Sequence, residues 1–237
     1  MSVKTFVIAE IGSCHENSLD TAYNLILTAK TSGANAVKAQ YWSSSKRLAE
    51  RRNISAAEPI YAKYKIPLEW LEKLSTHAEK VGIEFMCSTY LPQDIGVVAP
   101  YVQRFKVSAF ESQDMMFLHA HLAFQKPIVV SVNPKHELLP RSKRSSMVQL
   151  LHCISKYPAP IDELGLSRIH ADDLDGYSDH SGNVMAGALA VAAGARIIEA
   201  HLRLAETPNT NPDYPHSLSG VDFDTYVRNI RTAEVTM

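Results

Sequence analysis

Short apolar runs recur along this chain, with polar side chains at or just past their ends. Phe6–Glu10, Ala36–Gln40, Glu84–Ser88, Arg104–Val107, Ile128–Ser131, Val148–Cys153, Asp175–Ser178 and Ile197–His201 read as strands, since their length and bounding turn residues fit buried strands. Between most of them the apolar positions recur at helical spacing, over Leu19–Thr31, Leu68–Val81, Met115–Phe124, Val184–Ala193 and Phe223–Ala233. Gly33, Gly82 and Gly194 stand just before strands two, three and eight, where a left-handed residue turns a helix end back toward a sheet. Ser32–Gln40 and Ala193–His201 are two uses of one such unit.

Alternating strands and helices with short turns predict a parallel sheet. Eight strands favour a closed α/β barrel, the (β/α)8 TIM fold, over an open doubly wound sheet, and no G-x-G-x-x-G follows the first strand. Pro134–Met147, with its basic cluster Arg141, Lys143 and Arg144, and Ile161–Leu174 are weakly helical, so the barrel is expected to be trimmed around helices five and six. With 237 residues, 46% of them hydrophobic, one catalytic barrel domain over 1–237 accounts for the length.

Charge and cysteine narrow the classes. A net charge of −1 offers no basic face for nucleic acid or an anionic membrane. No 18-residue apolar stretch predicts a membrane span, and Phe6–Glu10 is too short for a signal segment. Cys14, Cys87 and Cys153 are odd in number and widely spaced, which predicts a reduced, cytoplasmic protein.

In a barrel the C-terminal strand ends form the working rim. His180 and His201 end neighbouring strands, close enough to share one metal ion, with Asp179 or Glu199 available to fix a ring tautomer. Lys38 and Lys106 are lone cations in apolar strands. With the hydroxyls of Thr89, Ser131 and Ser178 they suggest a phosphate or carboxylate pocket; ion pairs to Glu10, Glu84 or Glu199 are the alternative. Glu16 and Glu111 are loop carboxylates that could bind sugar hydroxyls or move a proton, and Tyr157 opens a proline-fixed loop. Adjacent strand residues face opposite sides, so His152 and Cys153 do not form a dyad. His15, His77, His119, His121, His136 and His170 default to surface or helix positions, and Trp42–Arg47 to a solvated loop.

These residues fall into motifs. Ala9-Glu10-Ile11-Gly12 with His15-Glu16, Ala36-Val37-Lys38 with Gln40, Ser88-Thr89, Phe105-Lys106-Val107, Lys126 to Ser131, Leu150 to Cys153 with Tyr157 to Pro160, Gly176 to His180, Ile198-Glu199 with His201, and Pro212-Asp213 with Ser217-Leu218 stand in one order over nearly the whole chain. The chain thereby resembles the sialic acid synthase (N-acetylneuraminate synthase) family. The resemblance implies a TIM barrel that condenses phosphoenolpyruvate with an open-chain aldose, typically N-acetylmannosamine. It implies that Lys38, Thr89, Lys106, Ser131 and Ser178 hold phosphoenolpyruvate, that His180 and His201 bind Mn2+ or Mg2+, and that Glu16, Gln40, Glu111, Tyr157 and Asp213 hold the sugar, with Glu16 also managing a water. It also raises the expectation of a homodimer.

The chain departs from the pattern in places. Ala109-Phe110 replace a Ser-Gly pair before Glu111, Val132-Asn133-Pro134 replace Thr-Gly-Met, and Ser155 replaces an Asn. The family's C-terminal antifreeze-like domain is expected to be absent. Two other readings compete: a barrel hydrolase or aldolase using the His pair, and a diverged, non-catalytic sugar or phosphate binder.

Overall fold

The computed structural model describes residues 4–135 and 145–236; His136 and the basic cluster Arg141, Lys143 and Arg144 lie outside them. Strands β1 (Phe6–Glu10), β2 (Ala36–Tyr41), β3 (Glu84–Thr89), β4 (Phe105–Val107), β5 (Ile128–Val132), β6 (Val148–Cys153), β7 (Gly176–Asp179) and β8 (Ile197–Arg203) pair in chain order, all parallel. β1 also pairs with β8, from Phe6 opposite Ile197 to Glu10 opposite His201. That last pairing closes the sheet, and the fold is the (β/α)8 TIM barrel. A two-residue strand, β9 (Leu218–Ser219), adds to the end of β8.

The helices wrap the barrel with their apolar stripes inward. In α1 (Leu19–Thr31) the buried residues are Ala22, Leu25, Ile26 and Ala29, spaced at three and four, and Ser18 caps the start by accepting the Thr21 N–H. α4 (Glu69–Val81) buries Trp70, Leu71, Leu74 and Ala78 and ends at Gly82, whose φ of 74° gives the expected left-handed turn. The long α9 (Gly220–Val235) packs on α8 (Ala186–Ala192) beside β8. Between β6 and β7 the chain forms one 3-10 turn and a four-residue helix, α7 (Arg168–Ala171), so the trimming expected there is present.

Three helices were not foreseen. After β2 come α2 (Ser45–Arg51), overlapping the Trp42–Arg47 stretch expected as a solvated loop, and α3 (Glu58–Lys63). The run of serines that suggested a loop is a helix start, because Ser44 Oγ accepts the Arg47 N–H. Trp42 is correspondingly buried, packed with Leu48 and Tyr90. α5 (Pro92–Val98) follows β3 with proline in its first turn; α6 (Met115–Leu122) lies where predicted.

Period-two alternation sorts the barrel interior into layers. Ile8, Ala36, Met86, Val129, Leu151 and Ile197 form an apolar floor. Two residues nearer the C-terminal ends, the same strands turn Glu10, Lys38, Ser88, Ser131, Cys153 and Glu199 inward, joined by Lys106 and Ser178. The floor seals the barrel and the next layer is polar.

The two faces of α1 give a stability test. Leu25→Ala, at a fully buried site, should lower unfolding free energy by about 2–5 kcal/mol. Leu27→Ala, at a site 48% exposed, should change it by less than about 0.5 kcal/mol, as read from urea midpoints.

Candidate active site

Four charges meet inside the barrel mouth. Lys38 pairs with Glu10, donates to Ser88 Oγ at 3.0 Å and lies 3.7 Å from Glu199. Lys106 donates to Ser131 Oγ at 2.8 Å and lies 3.4 Å from Glu199, whose Oε1 also accepts from Ser178 at 3.0 Å. Register brings them together: Glu10 stands opposite Lys38, and Ser178 opposite Glu199. All four charged residues are 1–4% exposed, where a lone charge would cost several kcal/mol, so each depends on the others.

The charge states follow from that balance. Burial works against the Lys38 ammonium, but Glu10 and Glu199 outweigh it and hold its pKa above the ordinary value. Burial and the nearby Lys38 charge hold Lys106 below it. Burial would raise Glu199, yet Lys106 and Lys38 outweigh burial and hold it low. Burial, with Glu199 adding to it, pushes Glu10 up against the pull of Lys38. The alternative expectation for the lysines, ion pairs to Glu10 and Glu199, is thus present, with the Ser88 and Ser131 hydroxyls beside them. Glu84 takes no part; it pairs with Arg104.

Above this layer opens a cavity of about 480 Å³. On its β7–β8 side stand His180, His201, Asp213 and Tyr157; across the barrel stand Trp42, Arg52, Tyr61, Tyr64, Tyr90 and Phe110. His180 Nδ1 lies 3.0 Å from the Ile154 carbonyl, which accepts only, so Nδ1 carries the proton and Nε2 keeps its lone pair. The His180 and His201 rings are 5.4 Å apart between centroids, and Tyr157 lies over His180 at 4.3 Å.

A third imidazole joins them, one not singled out from sequence. His216, from the loop after β8, lies 4.5 Å from the His201 ring. Asp213 stands between, its Oδ2 accepting the Ser13 N–H at 2.7 Å and its Oδ1 3.6 Å from His216 Nε2. His201 Nδ1 and both His216 ring nitrogens are buried with no hydrogen-bond partner. Burial holds His180 down to about 4 and His201 well below its ordinary value, so these rings are neutral at neutral pH. Neutral imidazoles with open nitrogens beside a carboxylate are a donor set that fits a divalent cation. Gly12 permits the arrangement: its φ is +42°, and a Cβ there would lie 2.0 Å from Asp213 Oδ2.

Several expected residues stand elsewhere. Thr89 is buried on the outer face of β3, hydrogen-bonded to His121 at 2.8 Å, because only its neighbour Ser88 has inward parity. Glu111 is buried and held by both arms of Arg52 at 2.9 Å, so the guanidinium, not the carboxylate, borders the cavity. Glu16 is half-buried outside the cavity lining, where it accepts from Asn211. Gln40 borders the cavity and donates to Glu10 at 3.0 Å. Asp179 faces outward to the Tyr226 hydroxyl at 2.9 Å and touches neither histidine; the Ile154 carbonyl does the orienting. His152 points outward to the Leu164 carbonyl and Cys153 inward, as their adjacency required.

The model of the NeuB family matches residues 25–237. The chain belongs to the NeuB family. It is 30% identical, over its full length and 74% of the relative, to the N,N'-diacetyllegionaminic acid synthase of Legionella pneumophila. It is 29% identical, over 98% of itself and 74% of the relative, to the pseudaminic acid synthase of Campylobacter jejuni. Its fold matches the N-acetylneuraminic acid synthetase structure from Leptospira borgpetersenii with a TM-score of 0.86, at 24% identity over 98% of this chain and 85% of that one. It is therefore a condensing enzyme of the sialic acid synthase type.

In this NeuB-family chain the departures have visible consequences. Phe110 is 46% exposed at the cavity wall, with the Arg52 guanidinium 5.5 Å from its ring. Ser108 borders the cavity but gives its proton to Glu111. His15, expected at a surface or helix position, is buried in the loop after β1: it packs edge-on against Tyr64 and Trp70, and its Nδ1 accepts the Asn17 N–H at 3.1 Å. Among the described residues, no helix is long and apolar enough to cross a membrane.

His15 makes stability depend on pH. Burial lowers its pKa to about 4 from 6.5, so the unfolded chain takes up the proton first as pH falls. Its contribution is complete above 6.5 and is lost as pH falls toward 4. Between pH 7.5 and 5.0 that amounts to about 2 kcal/mol. Urea titrations at the two pH values should show a loss smaller by that amount in His15→Gln; equal losses would contradict it.

Proposed function

We propose that this pocket condenses phosphoenolpyruvate with an open-chain aldose, giving a 2-keto-3-deoxy sugar acid and free phosphate, with a divalent cation bound at the histidines. The observation that carries this reading is one cavity, in a NeuB-family chain, holding two buried lysines at its base and neutral imidazoles at its side. Glu10, Glu199 and Asp213 face the cavity with Lys38, Arg52 and Lys106, so a bound cation adds net positive charge that favours entry of an anion. When bound, the cation polarises the aldehyde oxygen.

The protein's own groups divide the remaining work. Ser88 and Ser131 accept from the lysines, which leaves both hydroxyl protons free for a phosphate or carboxylate oxygen. Ser88 thus takes the place the resemblance gave to Thr89. Ser178 gives its proton to Glu199 and must turn to serve the anion. The lysines offset charge on phosphoenolpyruvate as C3 attacks the aldehyde carbon, water adds at C2, and the C2–O bond breaks to release phosphate. Gln40 and Tyr157 stand on the sugar side, and Arg52 presents hydrogen-bond donors there, where Glu111 was expected to present acceptors. Glu16 acts through Asn211 on the loop that carries Asp213.

The far wall is aromatic, with Trp42, Tyr61, Tyr64, Tyr90 and Phe110. It suits an aldose bearing acylamino or deoxy substituents better than a bare polyol. The synthase names of the relatives from Legionella and Campylobacter support the same substrate class.

Phosphate release is the direct test, using Mn2+, phosphoenolpyruvate and a panel of acetamido sugars and simple aldoses. Release should require all three components and favour the acetamido sugars; no release with any aldose would sink the reading. Lys106→Ala should raise KM for phosphoenolpyruvate by about 10- to 100-fold, the worth of a charged hydrogen bond, and that for the aldose far less. Ser88→Ala should raise the same KM, whereas Thr89→Val should leave it unchanged and lower stability by about 1–3 kcal/mol through an unpaired His121. The opposite pattern would return the anion contact to Thr89.

A further inference from the structure

We propose that His216 is a third imidazole ligand of the cation and Asp213 its carboxylate ligand, alongside His180 and His201, so that the centre selects a borderline transition ion over Mg2+. The inference rests on the reading of this cavity as a cation-assisted synthase site. It goes beyond the pair of histidines that the strand ends supply.

Three observations carry it. The ligating atoms of His201, Asp213 and His216 all lie within 4.8 Å of one another, and the His180 ring stands beside this group, its centroid 5.4 Å from that of His201 and 6.2 Å from that of His216. A tetrahedral site with bonds of about 2.1 Å needs separations of about 3.4 Å, so small side-chain rotations close the set. His216 is 3% exposed and neither ring nitrogen has a hydrogen-bond partner; a buried imidazole is rarely left so unless something is to occupy it. Finally, the carboxylate is aimed: the Ser13 N–H holds Asp213 Oδ2, leaving Oδ1 directed at His216.

The loop that delivers these groups is built to hold them. Asn211 accepts from Ser13 Oγ at 2.7 Å and from the Asp213 N–H at 2.9 Å, and donates to the Ser13 carbonyl at 3.0 Å. Ser217 Oγ donates to the Asp213 carbonyl at 2.7 Å, fixing the turn between Asp213 and His216. Nitrogen-rich donor sets suit Zn2+, Co2+ or Fe2+, whereas Mg2+ favours oxygen ligands and keeps its waters. Asp213 then serves the cation before it serves the sugar.

The test uses the whole chain with metal alone, without phosphoenolpyruvate or aldose. X-ray absorption of the Zn2+-loaded wild type counts coordinated imidazoles and needs no variant; three are expected, and two or fewer would overturn the proposal. Zn2+ affinity of a folded His216→Ala variant should fall by more than tenfold, and a smaller loss would overturn it. In Co2+-loaded His216→Cys, a ligating sulfur should produce a near-ultraviolet charge-transfer band; a folded, Co2+-bound variant without the band counts against a ligand at this position. Equal competition by Mg2+ for the Zn2+ site would overturn the selectivity. A three-imidazole centre in a protein that releases no phosphate would instead sink the synthase reading and leave this one standing.

Discussion

The structure turns on the burial of four charges, Glu10, Lys38, Lys106 and Glu199, one layer above a sealed apolar floor. None could be kept there alone, because desolvating one ion costs several kcal/mol that only an adjacent opposite charge offsets. Barrel closure satisfies that demand. The β1–β2 pairing sets Glu10 beside Lys38 and the closing β1–β8 pairing sets it beside His201, while β7 sets Ser178 against Glu199. A buried ion pair is weak evidence for stability, since apolar residues of similar volume often do as well. The quartet is better understood as preorganised polarity at the place where a substrate's charge must be received.

Around it the cavity is partitioned by strand order. β2 to β5 bring lysines and hydroxyls to the base, β7, β8 and the loop after β8 bring three imidazoles and a carboxylate, and α3 with the segments just after β2, β3 and β4 raises an aromatic wall. Each region presents a different chemistry to one bound assembly, as a two-substrate condensation requires. The NeuB family gives the reaction type.

Much of this was legible because parallel strands repeat every two residues and announce their ends with polar side chains. All eight barrel strands, the lysines, and His180 and His201 came from that rule. It failed where parity had to be resolved at a single residue: Ser88 and Thr89 both end β3, and inward parity with Met86 selects Ser88. It also failed where long-range folding decides. His216 does not stand at a strand end but well along the loop after β8; its place depends on Asn211 and Asp213 reaching back to Ser13, about 200 residues earlier. Glu111 looked like a free loop acid because its partner Arg52 caps the end of a helix that the serines had disguised.

If the quartet serves substrate rather than stability, it can be neutralised without unfolding the barrel. The most direct measurement is calorimetric titration of phosphoenolpyruvate into the double variant Lys106→Met with Glu199→Gln, together with its melting temperature. The exchange keeps charge balance, leaves Lys38 with Glu10, and retains an acceptor for Ser178. The expected result is a melting temperature equal to or above that of the wild type with phosphoenolpyruvate binding lost. A folded variant that binds phosphoenolpyruvate as before, or one that fails to fold, would contradict it.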